Sequence, residues 1–257
     1  MDIDKVILRQ LMSAVLEWSK CRSGILMSDN GGNLFSCVFL SLDNRFYAVT
    51  ADHCIKEIYD KSTLFVSTNR TLSPGVQLDP RRAIPLPEID VAAIALHKEQ
   101  VAALHVTWIT GGEVTSKHAI SGALVCLPGF PGQIQRGGIE RGAPATLHPH
   151  GFCYFSEIAG RDREISQNEI NPETDILIEY DKSNAYAITD NSKLPEIEPH
   201  GMSGCGVFVI PRPVDGELWN PGDIKLAGIQ SSYSRRYKLL VAKKLENIFE
   251  ALERVSK

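Results

Sequence analysis

The sequence has no paired C-x-x-C spacing; its six cysteines stand singly at positions 21, 37, 54, 126, 153 and 205. That scatter argues against both a disulfide framework and a zinc site, so reduced thiols in a cytoplasm are expected. A basic excess is missing as well. The 27 Lys and Arg against 31 Asp and Glu leave a net charge of −4, which gives no electrostatic footprint for nucleic acid or an anionic membrane, and neither is expected as a partner. Apolar runs such as Val91 to Leu96 are far short of the roughly 18 residues a membrane span needs. The first twenty residues include Asp2, Asp4, Arg9, Gln10 and Glu17, and so lack the basic start and unbroken apolar centre of a signal peptide. Internal repeats and low-complexity tracts are absent too. What is present is an ordinary globular composition, 43% hydrophobic and 23% charged over 257 residues, a length that all-β barrels and sandwiches reach as one folded unit.

Ile3, Ile7, Leu11, Val15 and Trp18 recur at helical spacing and predict an N-terminal helix within residues 1–23 that docks by one apolar face. From Gly24 the pattern changes to short apolar segments: Phe35 to Leu42, Phe46 to Thr50, Leu64 to Ser67 and Ile89 to Leu96, which read as antiparallel strands. Pro74 to Pro87 holds four prolines, and Pro128 to Pro144 mixes proline with glycine, so both are expected as loops. A second strand-rich half follows at Leu124 to Leu127, Ile176 to Tyr180, Val207 to Ile210, Leu226 to Ser231 and Lys238 to Val241. Leu245, Ile248, Phe249, Leu252 and Val255 then predict a C-terminal helix.

Chemistry concentrates in three segments. Tyr47-Ala48-Val49-Thr50-Ala51-Asp52-His53-Cys54 runs an apolar strand into a histidine, where loops converge. Ile89-Asp90-Val91-Ala92-Ala93-Ile94 sets an acid at the head of an apolar strand, and such a carboxylate asks for a partner. Pro199-His200-Gly201-Met202-Ser203-Gly204-Cys205-Gly206 flanks a serine with glycines that let the backbone turn sharply, projecting the hydroxyl and converging nearby N–H groups. Each segment alone has a bland reading: a capping histidine, a solvated acid, a glycine-rich turn.

Together, in the chain order His53, Asp90, Ser203, these segments resemble the trypsin-like serine peptidases of the chymotrypsin fold, over roughly residues 24–243. Leu226-Ala227-Gly228-Ile229-Gln230-Ser231 is similar to the family's strand after the nucleophile, and Leu127-Pro128-Gly129-Phe130-Pro131 to a stretch in intracellular bacterial members. An α/β-hydrolase orders its triad Ser, acid, His, and no histidine follows His200, so that alternative fails on chain order. The resemblance implies an all-β chain of two antiparallel six-stranded-type β-barrels packed face to face, with helices at both termini. The expected segments are a helix in 1–23, barrels at 24–100 and 123–243, a connection at 101–122 and a helix at 244–257.

By the same resemblance Ser203 is the nucleophile, His53 the general base and Asp90 the group orienting the imidazole. The N–H groups of Gly201 and Ser203 form the oxyanion hole, and Ser231 supports Asp90. Ser231, Ser232 and Tyr233 pair with the substrate backbone as an added strand, and Gln230 also binds substrate. Ile197 is expected at the base of the primary pocket, with His200 at its rim, where relatives that cut after Arg or Lys carry an acid. Asp52 and Cys205 depart from the usual pattern without removing a catalytic group. Cys37 and Cys54, which often bridge in secreted relatives, are read as neighbouring free thiols. Met202, directly before the nucleophile, offers no charge to receive a freshly cut terminal amine, so activation by N-terminal cleavage is not expected. His148 and His150 flank Pro149 in a loop and lack further ligands by spacing, so no metal or other cofactor is expected. The implied function is a serine endopeptidase acting on a protein or peptide, with a regulatory protein partner possible at the terminal helices. The competing reading is a catalytically weak trypsin-like scaffold used as a protein-binding module.

Overall fold

Turn chemistry and apolar alternation build the first half of the chain. Leu34–Leu42 and Arg45–Thr50 pair antiparallel through Leu42↔Arg45, and the two residues between them, Asp43 and Asn44, both have positive φ (48° and 60°). That is the two-residue turn whose twist matches a right-handed strand pair, and Asn and Asp tolerate it best among residues with a side chain. The computed structural model describes residues 5–28, 34–58, 64–68, 76–115, 120–131, 151–160, 170–171, 173–188, 190–212 and 219–255.

Two seven-stranded sheets form their framework. The first contains β1 (Ser23–Ser28), β2 (Leu34–Leu42), β3 (Arg45–Thr50), β4 (Leu64–Thr68), β5 (Val76–Leu78), β6 (Ala83–Leu86) and β7 (Val91–Ala95), in the order β5-β4-β1-β2-β3-β7-β6. The second contains β8 (Leu124–Gly129), β9 (Phe152–Glu157), β10 (Asp175–Glu179), β11 (Ala185–Ala187), β12 (Gly206–Val209), β13 (Lys225–Ser234) and β14 (Leu239–Lys244), in the order β10-β14-β13-β12-β8-β9-β11. Every pairing within the two sheets is antiparallel. The helices are α1 (Lys5–Ser19), α2 (Asp52–Ile58), α3 (Lys98–Ala103) and α4 (Leu245–Val255).

The nine expected strands are all present, with ends shifted by a few residues. The proline-rich stretch from Pro74 to Pro87 is not a loop throughout, because it contains β5 and β6. Both lie at the outer edges of the first sheet, where a residue without an N–H leaves no ladder bond broken between two neighbours. Each sheet has seven strands where the resemblance implied six, because short edge strands and β1 and β9 add to those the pattern displayed. His148 and His150 lie outside the described residues.

The sheets are joined by a strap that pairs with both. Ile109 N–H donates to Phe39 O and Ser41 N–H to Ile109 O (both 2.9 Å) on the first sheet, and Thr115 N–H donates to Leu226 O (2.9 Å) on the second. One buried cluster draws on both sheets and both terminal helices: Val38, Leu40 and Val49, then Cys126, Phe208 and Leu226, with Leu16 of α1 and Ile248 and Leu252 of α4. No helix among the described residues is long and apolar enough to cross a membrane.

Candidate active site

A cleft of about 1070 Å³ gathers residues from both halves of the chain, including Phe35 of β2 and His53 and Glu57 of α2 from the first, and His200, Gly201, Ser203 and Tyr233 from the second. His53 does not sit on a strand end as the sequence suggested. The apolar strand β3 stops at Thr50, and His53 is presented by the first turn of α2, which begins at Asp52. Asp52 is buried, and its carboxylate pairs with Lys56 one turn on, which answers the cost of an acid in that position.

Asp90 caps the short 3-10 turn Pro87–Ile89 and enters β7 in the left-handed conformation (φ 48°, ψ 47°), a region that Asp tolerates better than most residues. That backbone carries the carboxylate onto His53. The His53 main-chain N–H donates to Asp90 Oδ1 (3.1 Å), and Nδ1 lies 3.0 Å from Oδ2 and 3.2 Å from Oδ1. With Nδ1–H donated to the carboxylate, Nε2 is the free base. The Asp90 hydrogen bond raises the His53 pKa above its ordinary 6.5; partial burial opposes this, and the charges of Asp90, Glu57 and Asp52 add to it. Nε2 also stands 3.6 Å from Cys54 Sγ, a buried thiol whose pKa is pushed up by burial and which therefore stays an S–H donor.

Ser203 projects from the turn that leads into β12. The two flanking glycines are there for geometric reasons. Gly201 has φ +89°, and Gly204 has φ +91° with so little room that an added Cβ would fall 2.1 Å from both Ser36 O and Thr50 Oγ1. Only glycine lets the Ser203 turn lie this close to the first sheet. Ser203 Oγ donates to the Ser231 carbonyl (3.4 Å), and among the described residues no hydrogen bond joins it to His53. Among the described residues the N–H groups of Gly201 and Ser203 have no backbone acceptor, while their neighbours Met202, Gly204 and Cys205 donate to Pro199 O, Gln230 O and Met202 O. Met202 is fully buried in the core of the second sheet.

The remaining expected residues divide. Ser231 does not reach Asp90: its hydroxyl donates to Val241 O (3.5 Å), because a register shift between Gln230 and Ser232 bulges β13 at this residue. Past Ile229, the ladder partner of Gly206, Gln230 is still held on that side, its N–H donating to Cys205 O and its carbonyl accepting from Gly204 N–H (both 2.8 Å); past it β13 pairs with β14 only, and Tyr233 lines the cleft. Ser232 is exposed and its carbonyl accepts from Gln230 Nε2 (3.0 Å). Ile197 does not line the cleft. It is 3% exposed in the second-sheet core, its carbonyl accepts from Tyr180 Oη, and Tyr180 meets Tyr233 edge-on at 5.0 Å. Tyr233 lines the cleft on this side, with His200, Arg235 and the Lys182–Glu198 ion pair.

Ser36, fully buried on β2, and Thr50 were not anticipated. A serine inside the apolar run Leu34–Leu42 was the available signal, since a buried hydroxyl needs partners. All six cysteines are free thiols and buried.

No protein-family model matches the sequence, and no curated protein matches it. Solved structures do. A serine endoprotease from Yersinia pestis is 14% identical with a TM-score of 0.53, covering 95% of this chain and 65% of its own. A protease of M. tuberculosis, solved in its active form, is 12% identical with a TM-score of 0.53, covering 98% of this chain and 87% of its own. The HtrA-type protease AlgW, solved with a tripeptide, is 15% identical with a TM-score of 0.52, covering 95% of this chain and 63% of its own. The chain thus spans about two thirds of the length of the Yersinia and AlgW proteins. At these identities the likeness establishes the fold, a trypsin-like serine protease scaffold.

Proposed function

We propose that the chain is a serine endopeptidase acting through His53, Asp90 and Ser203 and an acyl-enzyme intermediate. The observation that carries this reading is the Nδ1 contact of His53 with Asp90 at 3.0 Å, at a cleft that also holds Ser203. Ser203 Oγ attacks the scissile carbonyl carbon as its proton passes to His53 Nε2. The tetrahedral oxyanion is met by the N–H groups of Gly201 and Ser203, which have no backbone acceptor among the described residues. His53 then gives the proton to the leaving amine, and water enters by the reverse sequence. The substrate lies extended along Ser231–Tyr233, adding a strand to the open side of β13.

The free, buried thiols fit a reducing compartment, and we read the enzyme as cytoplasmic. Met202, apolar and buried directly before the nucleophile, offers no carboxylate for a terminal amine, which supports activity without N-terminal cleavage. The test is incubation with an unfolded, reduced protein, with the products sequenced by mass spectrometry. Internal cleavage by the wild type and none by Ser203→Ala is expected. An uncut substrate that the protein nevertheless binds would favour the binding-module reading.

A further inference from the structure

Ser36 is fully buried, and all of its polar groups are engaged where the two sheets meet at the nucleophile turn. Its N–H donates to Ser203 O (3.0 Å), and its carbonyl accepts from Thr50 Oγ1 (2.8 Å). Its hydroxyl donates to Gly201 O (3.0 Å) and accepts from Phe130 N–H (2.9 Å) just past β8. The register explains why this residue is available. β3 pairs with β2 only as far as Val38↔Val49, so two residues earlier, at Ser36, the ladder has no strand to continue with and the nucleophile turn takes its place.

We infer that Ser36 is a positioning residue for the oxyanion hole: it clamps the carbonyls of Gly201 and Ser203, the two residues whose N–H groups receive the developing charge. This rests on the proposed peptidase reading. The peptide between Gly201 and Met202 is planar, so its orientation is set at two atoms. Ser36 Oγ holds its oxygen, and Pro199 O accepts its N–H (3.1 Å). Gly201, at φ +89°, has no Cβ to keep it there, since glycine takes either sign of φ at similar cost. Without the hydroxyl, the buried Gly201 carbonyl loses its partner and the turn is free to rotate toward another one, carrying the Gly201 N–H away from the cleft. The acid–base pair is untouched, because Ser36 makes no contact with His53 or Asp90 among its recorded bonds.

The test is steady-state kinetics of Ser36→Ala and of Ser36→Cys, which nearly preserves the volume with a weaker hydrogen-bonding group. The expected result is a kcat lowered about 100- to 1000-fold in Ser36→Ala, the range for losing one oxyanion donor. KM and the midpoint of the acid limb of the pH profile stay at wild-type values. Ser36→Cys should fall between the two, and it carries the test alone if Ser36→Ala does not fold. A peptide boronate, which mimics the tetrahedral adduct, should lose affinity in parallel with kcat. Wild-type kcat in either folded variant overturns the positioning role while leaving the peptidase reading intact. A drop in kcat accompanied by a shifted acid limb also overturns it, since the effect would then run through His53. A wild-type protein that neither hydrolyses peptide nor binds the boronate removes the peptidase reading, and this role with it.

Discussion

An imidazole whose Nδ1–H is held by a carboxylate is a stronger base at Nε2, and this sets the pH behaviour of the site. Asp90 raises the His53 pKa, and the base works only when neutral. Activity is therefore lost as pH falls through a value above the ordinary 6.5, and a pH–kcat/KM profile should place the acid limb there. In Asp90→Asn the midpoint should drop and kcat fall by about 10⁴ as control of the tautomer is lost; an unmoved limb would assign it to another group. For stability the sign is opposite in use: a raised histidine pKa contributes fully below about 6.5 and is lost as pH rises through the folded value. His53 is therefore no cause of acid unfolding. The three residues of the proposed triad stood out because their residue types and chain order are unusual in combination. The Ser231 contact did not, because it depends on a one-residue bulge in β13 that no side-chain pattern marks. Ile197 was misplaced for a related reason. Counting back from Ser203 fixes the distance along the chain but not that Tyr180 takes the Ile197 carbonyl and Tyr233 lines the cleft. With an aromatic ring at that wall, small uncharged side chains should be preferred before the cut bond. Tyr233→Ala should raise kcat/KM for bulky ones in a positional peptide library, whereas efficient cleavage after Arg by the wild type would contradict this specificity.

Among the elements, the turn that carries Ser203 is tightly fixed by its neighbours. Gly204 has both a positive φ and a Cβ position occupied by Ser36 O and Thr50 Oγ1. Gly204→Ala should therefore destabilise the chain by on the order of 3 kcal/mol, through backbone strain and overpacking together, measured as a lowered urea midpoint with unchanged slope. A wild-type midpoint would mean that the turn can move away from β2 at little cost. Strands whose two faces are both buried, such as β7 with Val91, Ala92, Ala93 and Ile94, were plain in the sequence as continuous apolar runs. The edge strands β5 and β6 were hidden because the prolines beside β5 (Pro74, Pro80) and within β6 (Pro85) read as loop punctuation, and that signal does not distinguish a loop from an edge that needs no second ladder.

At the scale of the molecule, the terminal helices belong to the body of the fold. Leu16 of α1 and Leu252 of α4 sit in the cluster that both sheets share, while Glu246, Glu250, Glu253 and Arg254 of α4 face outward. The solvent face of α4 is therefore charged. Leu16→Ala and Leu252→Ala should each cost about 2–5 kcal/mol, and unfolding should remain one transition because the sheets have this core in common. Two separated transitions by circular dichroism would show that the sheets unfold independently. The central claim is chemical, and one measurement reaches it most directly: reaction of the folded protein with a fluorophosphonate, with the adduct mapped by mass spectrometry. A single adduct on Ser203, lost in His53→Ala and on denaturation, is the predicted result; a folded wild-type chain left unlabelled would contradict the account.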